Sequence, residues 1–505
     1  MNKTIKYMAL TLSLLALSAA AQTTLTVTTD KTSGQITNST IVEFYYNATL
    51  TFNGLSGGSG GAISLTGGRY FQTTGEGQLV FSDNKATGSY NSGGAIYATT
   101  NASVSFGNNA SFVRNSASSG PGGAISANKS TTISLGNNAS FVGNTTGNNG
   151  GAISASDSTV TIGNNSSFVS NSASIGAGAI SAANSTVIIG AGAHFEKNIA
   201  NNSSGGAISA GGNATSVTLT DATFINNRAS SDGGAIALVN GSRVTLNVSE
   251  NGTSSFSGNT AAGTANGIHF YHYISGAETA ATLTVHTKTG GVMDMFDPMA
   301  STNSGHSAIK TGEGVWNLGG TSTTAGVTYN IHEGTFNLMS GAVMQVYSMN
   351  VGTAGVNAVL SGGGTISGGV ISGGFSDGKV TVGADGTVCA DEDFAFESLE
   401  LLAGSTLHFA GGSIIVTNLA FAAFNLQFSE LYEAGEILFS LGTPAAITQG
   451  SALADYINGQ LGDGVVSFNG TGIVLNQSIP EPTAILMLAA VAVVGGLYRR
   501  FFCKL

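Results

Sequence analysis

The sequence predicts an all-β protein built as a parallel β-helix, and three observations carry that prediction. The phrase Gly-Gly-Ala-Ile returns at Gly60–Ile63, Gly93–Ile96, Gly122–Ile125, Gly150–Ile153, Gly205–Ile208 and Gly233–Ile236, with a degenerate copy at Ala177–Ile180. A second phrase, Phe-x-x-Asn, alternates with it: Phe81…Asn84, Phe112…Asn115, Phe141…Asn144, Phe168…Asn171, Phe195…Asn198, Phe224…Asn227 and Phe256…Asn259. Between the phrases run short apolar–polar alternations cut by Gly and Asn, as in Thr132-Ile133-Ser134-Leu135-Gly136-Asn137. Alternation with period two reads as strand, and Gly and Asn read as turns. The repeat isoleucines lie 33, 29, 28, 27, 28 and 28 residues apart. Such a fixed period marks stacked units, each too small to bury its apolar face alone.

Each unit offers three short strands with one or two inward side chains apiece, such as Val104/Phe106/Phe112, Val160/Ile162/Phe168 and Val217/Leu219/Phe224. Three strands in so few residues make one coil of a solenoid, whose strands pair with their equivalents about 4.8 Å along the axis. The Ile, Val and Phe columns then stack into a continuous core. A β-propeller blade needs about 40 residues and four strands, more than one unit supplies.

The two phrases together resemble the repeats of the chlamydial polymorphic outer-membrane proteins. That resemblance covers Gly60 to Asn259 and implies a right-handed β-helical surface passenger with adhesive use. It identifies no ligand.

The N-terminus reads as a secretory signal peptide over residues 1–21. Lys3 and Lys6 open it, Met8 to Leu17 is apolar, and Ala19-Ala20-Ala21 precedes cleavage between Ala21 and Gln22. Signal peptidase is therefore an expected partner. Residues 22–55, with Leu25/Val27, Ile41-Val42 and Leu50/Phe52, are read as an N-terminal cap and first coil. A solenoid end exposes strand edges that must be covered. The β-helix repeats follow over 56–267, with Gly267-Ile268 as a worn eighth corner.

From 268 to 420 the rhythm changes. Gly314-Val315-Trp316-Asn317-Leu318 and Gly334-Thr335-Phe336-Asn337-Leu338 start with Gly and then alternate, and Gly386-Thr387-Val388 and Gly404-Ser405-Thr406-Leu407 do the same. These runs resemble the autotransporter-associated β-strand repeat, which implies a second, less regular solenoid region. Residues 421–478 are read as a C-terminal cap with one helix, Ser451 to Ile457, started by Ser451.

The segment 479–505 holds Pro480-Glu481-Pro482, an apolar run from Ala484 to Leu497, and then Arg499-Arg500. Fourteen helical residues reach about 21 Å against a hydrocarbon core of about 30 Å. Arg499 and Arg500 place the tail on the inner side. The order of Pro480, Glu481, Pro482, hydrophobic helix and Arg499/Arg500 resembles the PEP-CTERM sorting signal. The resemblance implies a hydrophobic sorting helix, processing by an exosortase-type enzyme, and export from a Gram-negative-type bacterium to the cell surface or extracellular matrix. It also implies a transient or permanent single-pass membrane anchor. Autotransporters end in a translocator barrel; this chain ends in the sorting helix, so secretion through a barrel of its own is not expected.

Composition narrows the function. Only 9% of residues are charged and the net charge is −11, so there is no basic footprint for nucleic acid. Within residues 60–259 seven acidic and seven basic residues balance, which places the acid excess elsewhere. Two cysteines, Cys389 and Cys503, make no disulfide framework.

Catalytic chemistry is not evident. Glycoside hydrolysis needs two converging carboxylates, and Asp157, Glu196, Asp221, Asp232 and Glu250 fall at different phases of the repeat. Asp391-Glu392-Asp393 reads as a solvated loop, His269 and His272 as part of an aromatic cluster, and Cys389 as a small apolar side chain. No cofactor, metal site or catalytic residue is expected. The sequence reading is an exported, non-enzymatic β-helical structural or adhesion protein. Its expected partners are matrix polysaccharide or a host surface. The alternative is a polysaccharide-active lyase or hydrolase on the same fold.

Overall fold

The computed structural model describes residues 11–12 and 23–479, apart from short segments that include 28–30, 45–47, 273–279, 352–357 and 373–378. The chain divides into two compact units, Met1–Leu283 and Thr284–Leu505. It is an all-β parallel β-solenoid of about 12 turns.

One coil of the first unit shows how local sequence becomes architecture. Its strands are Ile125–Asn128, Thr132–Leu135, Ser140–Val142 and Thr145–Thr146. Each pairs in parallel with its equivalents in the neighbouring coils. Ile125 lies between Ile96 and Ile153, Ile133 between Val104 and Val160, and Phe141 between Phe112 and Phe168. The worn corner keeps this register, since Ile268 pairs with Ile236. Sequence reasoning counted three strands per coil, and the fourth is the difference. It is two residues long, lies just beyond the repeat asparagine, and turns Ala86, Ala117, Thr146, Ala173, Ala200, Ala229 and Ala261 inward. This short sheet ends where Thr264–Ala265 folds back antiparallel on Thr260–Ala261 and covers its edge.

Two columns hold the coils in register. The rings of Phe52, Phe81, Phe112, Phe141, Phe168, Phe195, Phe224 and Phe256 stack with centroids 4.5 to 4.8 Å apart and planes within 14°. That is the spacing of strands in a sheet, so the backbone sets the ring separation. Beside them runs a ladder of fully buried asparagines from Asn84 to Asn259. Asn144 shows the pattern. Its Nδ2 donates to the Phe112 carbonyl one coil before (3.0 Å) and to Asn171 Oδ1 one coil after (2.9 Å). Its Oδ1 accepts from Asn115 N and Asn115 Nδ2, both at 3.0 Å. All four hydrogen-bonding positions of the amide are filled, which a buried polar group requires.

The ladder bends the chain sharply. The residue before each asparagine lies in the left-handed region even where it has a side chain: Asp83 (φ 56°), Arg114 (51°), Ser170 (55°) and Lys197 (53°). Such conformations cost about 1–2 kcal/mol each, and the filled ladder offsets them.

The glycine pair opens the next coil. Gly122 has φ 77°, and a Cβ on Gly123 would lie 2.0 Å from the Gly151 carbonyl oxygen. The first glycine supplies a left-handed turn and the second a close approach between coils. In the degenerate copy Ala177 holds the first place, and the positive φ moves one residue upstream to Gly176 (66°). The donor at Gly178 still reaches the Gly205 carbonyl, so the ladder of main-chain bonds is unbroken.

In the second unit the coils are shorter. Val315–Leu318 pairs in register with the run from Thr335 to Leu338, so the two Gly-led phrases seen in the sequence lie one above the other. Thr387 and Val388 pair likewise with Thr406 and Leu407. Trp316 and Phe336 are buried and meet edge to face at 4.9 Å. Outside them Asn337 Nδ2 donates to Asn317 Oδ1, and Asn317 Nδ2 donates to Asp294, both at 2.7 Å.

The parallel stacking stops at the C-terminal end of this unit. Ile437–Leu441 and Val466–Phe468 both run antiparallel to Gly472–Leu475, beneath helix α1, Pro444–Leu461. The sequence placed this helix at Ser451–Ile457 with Ser451 at its start. It begins instead at Pro444, since proline fits the first turn of a helix, and Ser451 is exposed within it. Leu453 and Ile457, one turn apart, are fully buried. The Tyr456 hydroxyl (2.6 Å) and Gln460 Nε2 (2.7 Å) both donate to the Phe424 carbonyl and tie the helix to the coil beneath. Among the described residues no helix is long and apolar enough to cross a membrane.

Among the described residues of this unit, Lys310 is the one buried lysine. Its ammonium donates to the carbonyls of Thr311 (3.1 Å), Gly312 and Glu333 (3.0 Å). Burial pushes its pKa down to about 8, against the opposing pull of the Glu333 carboxylate. An unfolded lysine titrates near 10.4. Between those values the unfolded chain binds a proton that the folded chain has released, so this group adds stability as pH rises.

Two outcomes follow from these packing features. Asn144→Ala strands the amide donors of Asn115 and the carbonyl of Phe112 in the core. It should cost about 3 kcal/mol or more, seen as a lower urea midpoint. For Lys310, the stability difference between the native chain and Lys310→Met should move in favour of the native chain from pH 7 to 9.5. Chemical denaturation at each pH checks it, and a difference flat across that range would contradict it.

Candidate interaction surface

Outward positions of the first unit form columns as regular as the inward ones. In the second strand of each coil, Phe71, Val104, Ile133, Val160, Val187, Val217 and Val244 are fully buried. Their neighbours on either side therefore face outward. One outward column reads Tyr70, Ser103, Thr132, Thr159, Thr186, Ser216 and Arg243. The other reads Gln72, Ser105, Ser134, Thr161, Ile188, Thr218 and Thr245. Ten of these fourteen side chains are Ser or Thr.

A groove of about 340 Å³ runs beside the first column, across three coils, between Ser130–Thr132, Asp157–Thr159 and Asn184/Thr186. Its floor is a buried ladder of hydroxyl residues. Thr131 N donates to Ser158 Oγ (3.3 Å), and Ser158 N donates to Ser185 Oγ (3.1 Å). These hydroxyls are occupied in turn: Thr131 Oγ1 donates to the Asn128 carbonyl, Ser158 Oγ to Ser156 and Ser185 Oγ to Ala183, at 2.7 to 2.8 Å. The rim consists of left-handed residues, Ser130 (φ 62°), Asp157 (48°) and Asn184 (48°). Asp157 brings a carboxylate to the rim and Asn184 an amide.

Of the carboxylates weighed for catalysis, Asp157, Glu196, Asp221 and Asp232 stand on separate columns, and Glu250 lies in the loop 249–252 beside Asp221. Asp157 is in the groove. Glu196 lies beside the phenylalanine stack, where Lys197 (2.5 Å) and His194 (3.3 Å) hold its carboxyl below the usual range. Asp221 accepts from Ser249 N at 2.9 Å and from Ser249 Oγ. Asp232 lies 3.4 Å from His269 Nδ1. The sequence had grouped His269 with aromatic neighbours, and its ring does meet Tyr271 edge-on at 5.8 Å. The Asp232 contact was not foreseen, because it joins two coils. Burial holds the His269 imidazole below its ordinary range, against the opposing pull of Asp232. Among the described residues no three His, Cys, Asp or Glu side chains gather as a metal site.

The sorting residues Pro480, Glu481, Pro482, Arg499 and Arg500, the cleavage pair Ala21 and Gln22, and the acidic run Asp391–Asp393 lie outside the described residues. The groove was missed in the sequence, although Thr132, Thr159 and Thr186 recur there at the repeat period.

The Chlamydia polymorphic membrane protein repeat matches the chain at residues 78–99 and 221–238, one stretch near each end of the regular coils. No curated protein and no solved structure matched.

Because Thr132, Thr159 and Thr186 point outward, replacing all three by valine should shift stability by no more than about 1 kcal/mol, since valine keeps the strand preference. Thermal unfolding of the triple variant checks this.

Proposed function

We propose that this chain is a surface-exposed, non-enzymatic β-solenoid that serves as a structural or adhesive scaffold, outer-membrane or autotransporter-like in its placement. The observation that carries the reading is the stacking of the coils on columns of like residues, which persists across a local register shift at Ile189–Ala191. Their phenylalanine and asparagine columns are filled throughout, and the polar side chains are left on flat outer faces. The match of two coils to the Chlamydia polymorphic membrane protein repeat supports placement at a cell surface.

Export rests on the sequence at the two ends. Cleavage by signal peptidase between Ala21 and Gln22 releases the chain from its leader. The run from Pro480-Glu481-Pro482 to Arg499-Arg500 directs it to an exosortase-type enzyme, with the hydrophobic helix as transient or permanent anchor. A right-handed coil and contacts spread over several coils complete the reading. Such a scaffold obtains affinity from many weak contacts along a rigid surface, with little ordering cost on binding.

Protease shaving of intact producing cells tests the placement. The expected result is loss of the repeat region from whole cells without lysis, with the mature chain beginning at Gln22. Full protection until the cells are broken would overturn it.

A further inference from the structure

We infer that the groove beside Thr132, Thr159 and Thr186, with the hydroxyl columns that flank it, binds an extended neutral polysaccharide. The inference rests on the proposed surface scaffold and names the ligand class of one of its faces.

The hydroxyls divide into two sets. Those of the floor are spent on main-chain partners within the coils. Those of Thr132, Thr159 and Thr186, and of Ser134 and Thr161 beside them, make no hydrogen bond within the protein. Each is both donor and acceptor, and each is held at the strand spacing of about 4.8 Å by a rigid coil. From Tyr70 to Arg243 the track covers six such steps, about 29 Å. A polymer that presents a hydroxyl-rich unit at every short step is the partner that such a lattice can meet repeatedly.

The ends and walls fit the same ligand. Tyr70 stands in the same column as the threonines and offers an aromatic face of the kind on which the apolar face of a sugar ring stacks. Ile188, 43% exposed, gives a second apolar contact inside the lattice. Asp157 and Asn184 on the rim supply an acceptor and an amide that fix orientation, as the few polar groups of a ligand site do. Asp157 is the one charged side chain lining the groove, so a polyanion is disfavoured, and a single carboxylate offers a polycation little. A protein partner would need buried aromatic or apolar anchors, and between Ser103 and Ser216 the two columns offer only Ile188.

The test uses the full chain with cellohexaose, xylohexaose and chitohexaose, and heparin hexasaccharide as the charged control, by titration calorimetry. The expected result is saturable binding of at least one neutral hexasaccharide. Affinity should fall at least tenfold in the variant Thr132→Val/Thr159→Val/Thr186→Val and also in Tyr70→Ala, with thermal unfolding confirming that both fold. Three results would overturn the inference: no binding of any neutral hexasaccharide, equal binding by the triple variant, or binding of heparin alone. Protease shaving reads display independently. A chain that is displayed but binds no neutral glycan rejects the ligand and leaves the scaffold reading standing, whereas a chain that binds glycan but is never displayed rejects the scaffold placement.

Discussion

The first unit depends on one constraint: successive coils must repeat closely enough that a phenylalanine and an asparagine fall on their own kind. A buried side-chain amide is costly unless its donors and acceptor pairs are filled. In this protein only the asparagines of the two neighbouring coils, together with one phenylalanine carbonyl, can fill them. A coil shifted by one residue would orphan several amides and turn the apolar side chains outward together. The ladder therefore specifies register as well as contributing stability.

Other features follow from it. The left-handed residue before each asparagine tolerates Asp, Arg, Ser and Lys because the bend is held on both sides. Variation in coil length is shared between the loop before the glycine pair, where Tyr90 and Ile175 protrude, and the stretch from the repeat isoleucine to the repeat phenylalanine, 15 residues from Ile153 to Phe168 but 20 from Ile236 to Phe256. With so few charges, the surface has little long-range field, and the ion pairs present are local, such as Arg114 with Asp83 at 2.8 Å. Exposed pairs of this sort add little to stability.

The second unit reaches the same end with different residues. Its shorter coils replace the phenylalanine stack by Trp316, Tyr329 and Phe336 packed at steep angles. Its core admits a lysine, whose three carbonyl partners do for a cation what the ladder does for amides. Antiparallel strands and helix α1 then close the stack. A helix can cover strand edges without offering a new edge of its own.

The sequence by itself determined the strand positions and the inward columns. A period of about 28 residues with Ile, Val and Phe at constant phase points to stacked coils, and the asparagines recur at that same period. The paired Gly-led phrases around Trp316 and Phe336 were legible for the same reason. Tertiary structure decided what depends on contacts across coils: the two-residue fourth strand, the Asp232–His269 contact, the burial of Lys310 and the groove between threonine columns. The helix from Pro444 to Leu461 belongs with these, since its length is settled by the coil that Tyr456 and Gln460 grip. Periodicity along a chain reveals which residues share a column. It does not reveal which columns face each other around a corner, because that depends on the bend angle of each coil, and the bend is set by hydrogen bonds between residues about a coil apart.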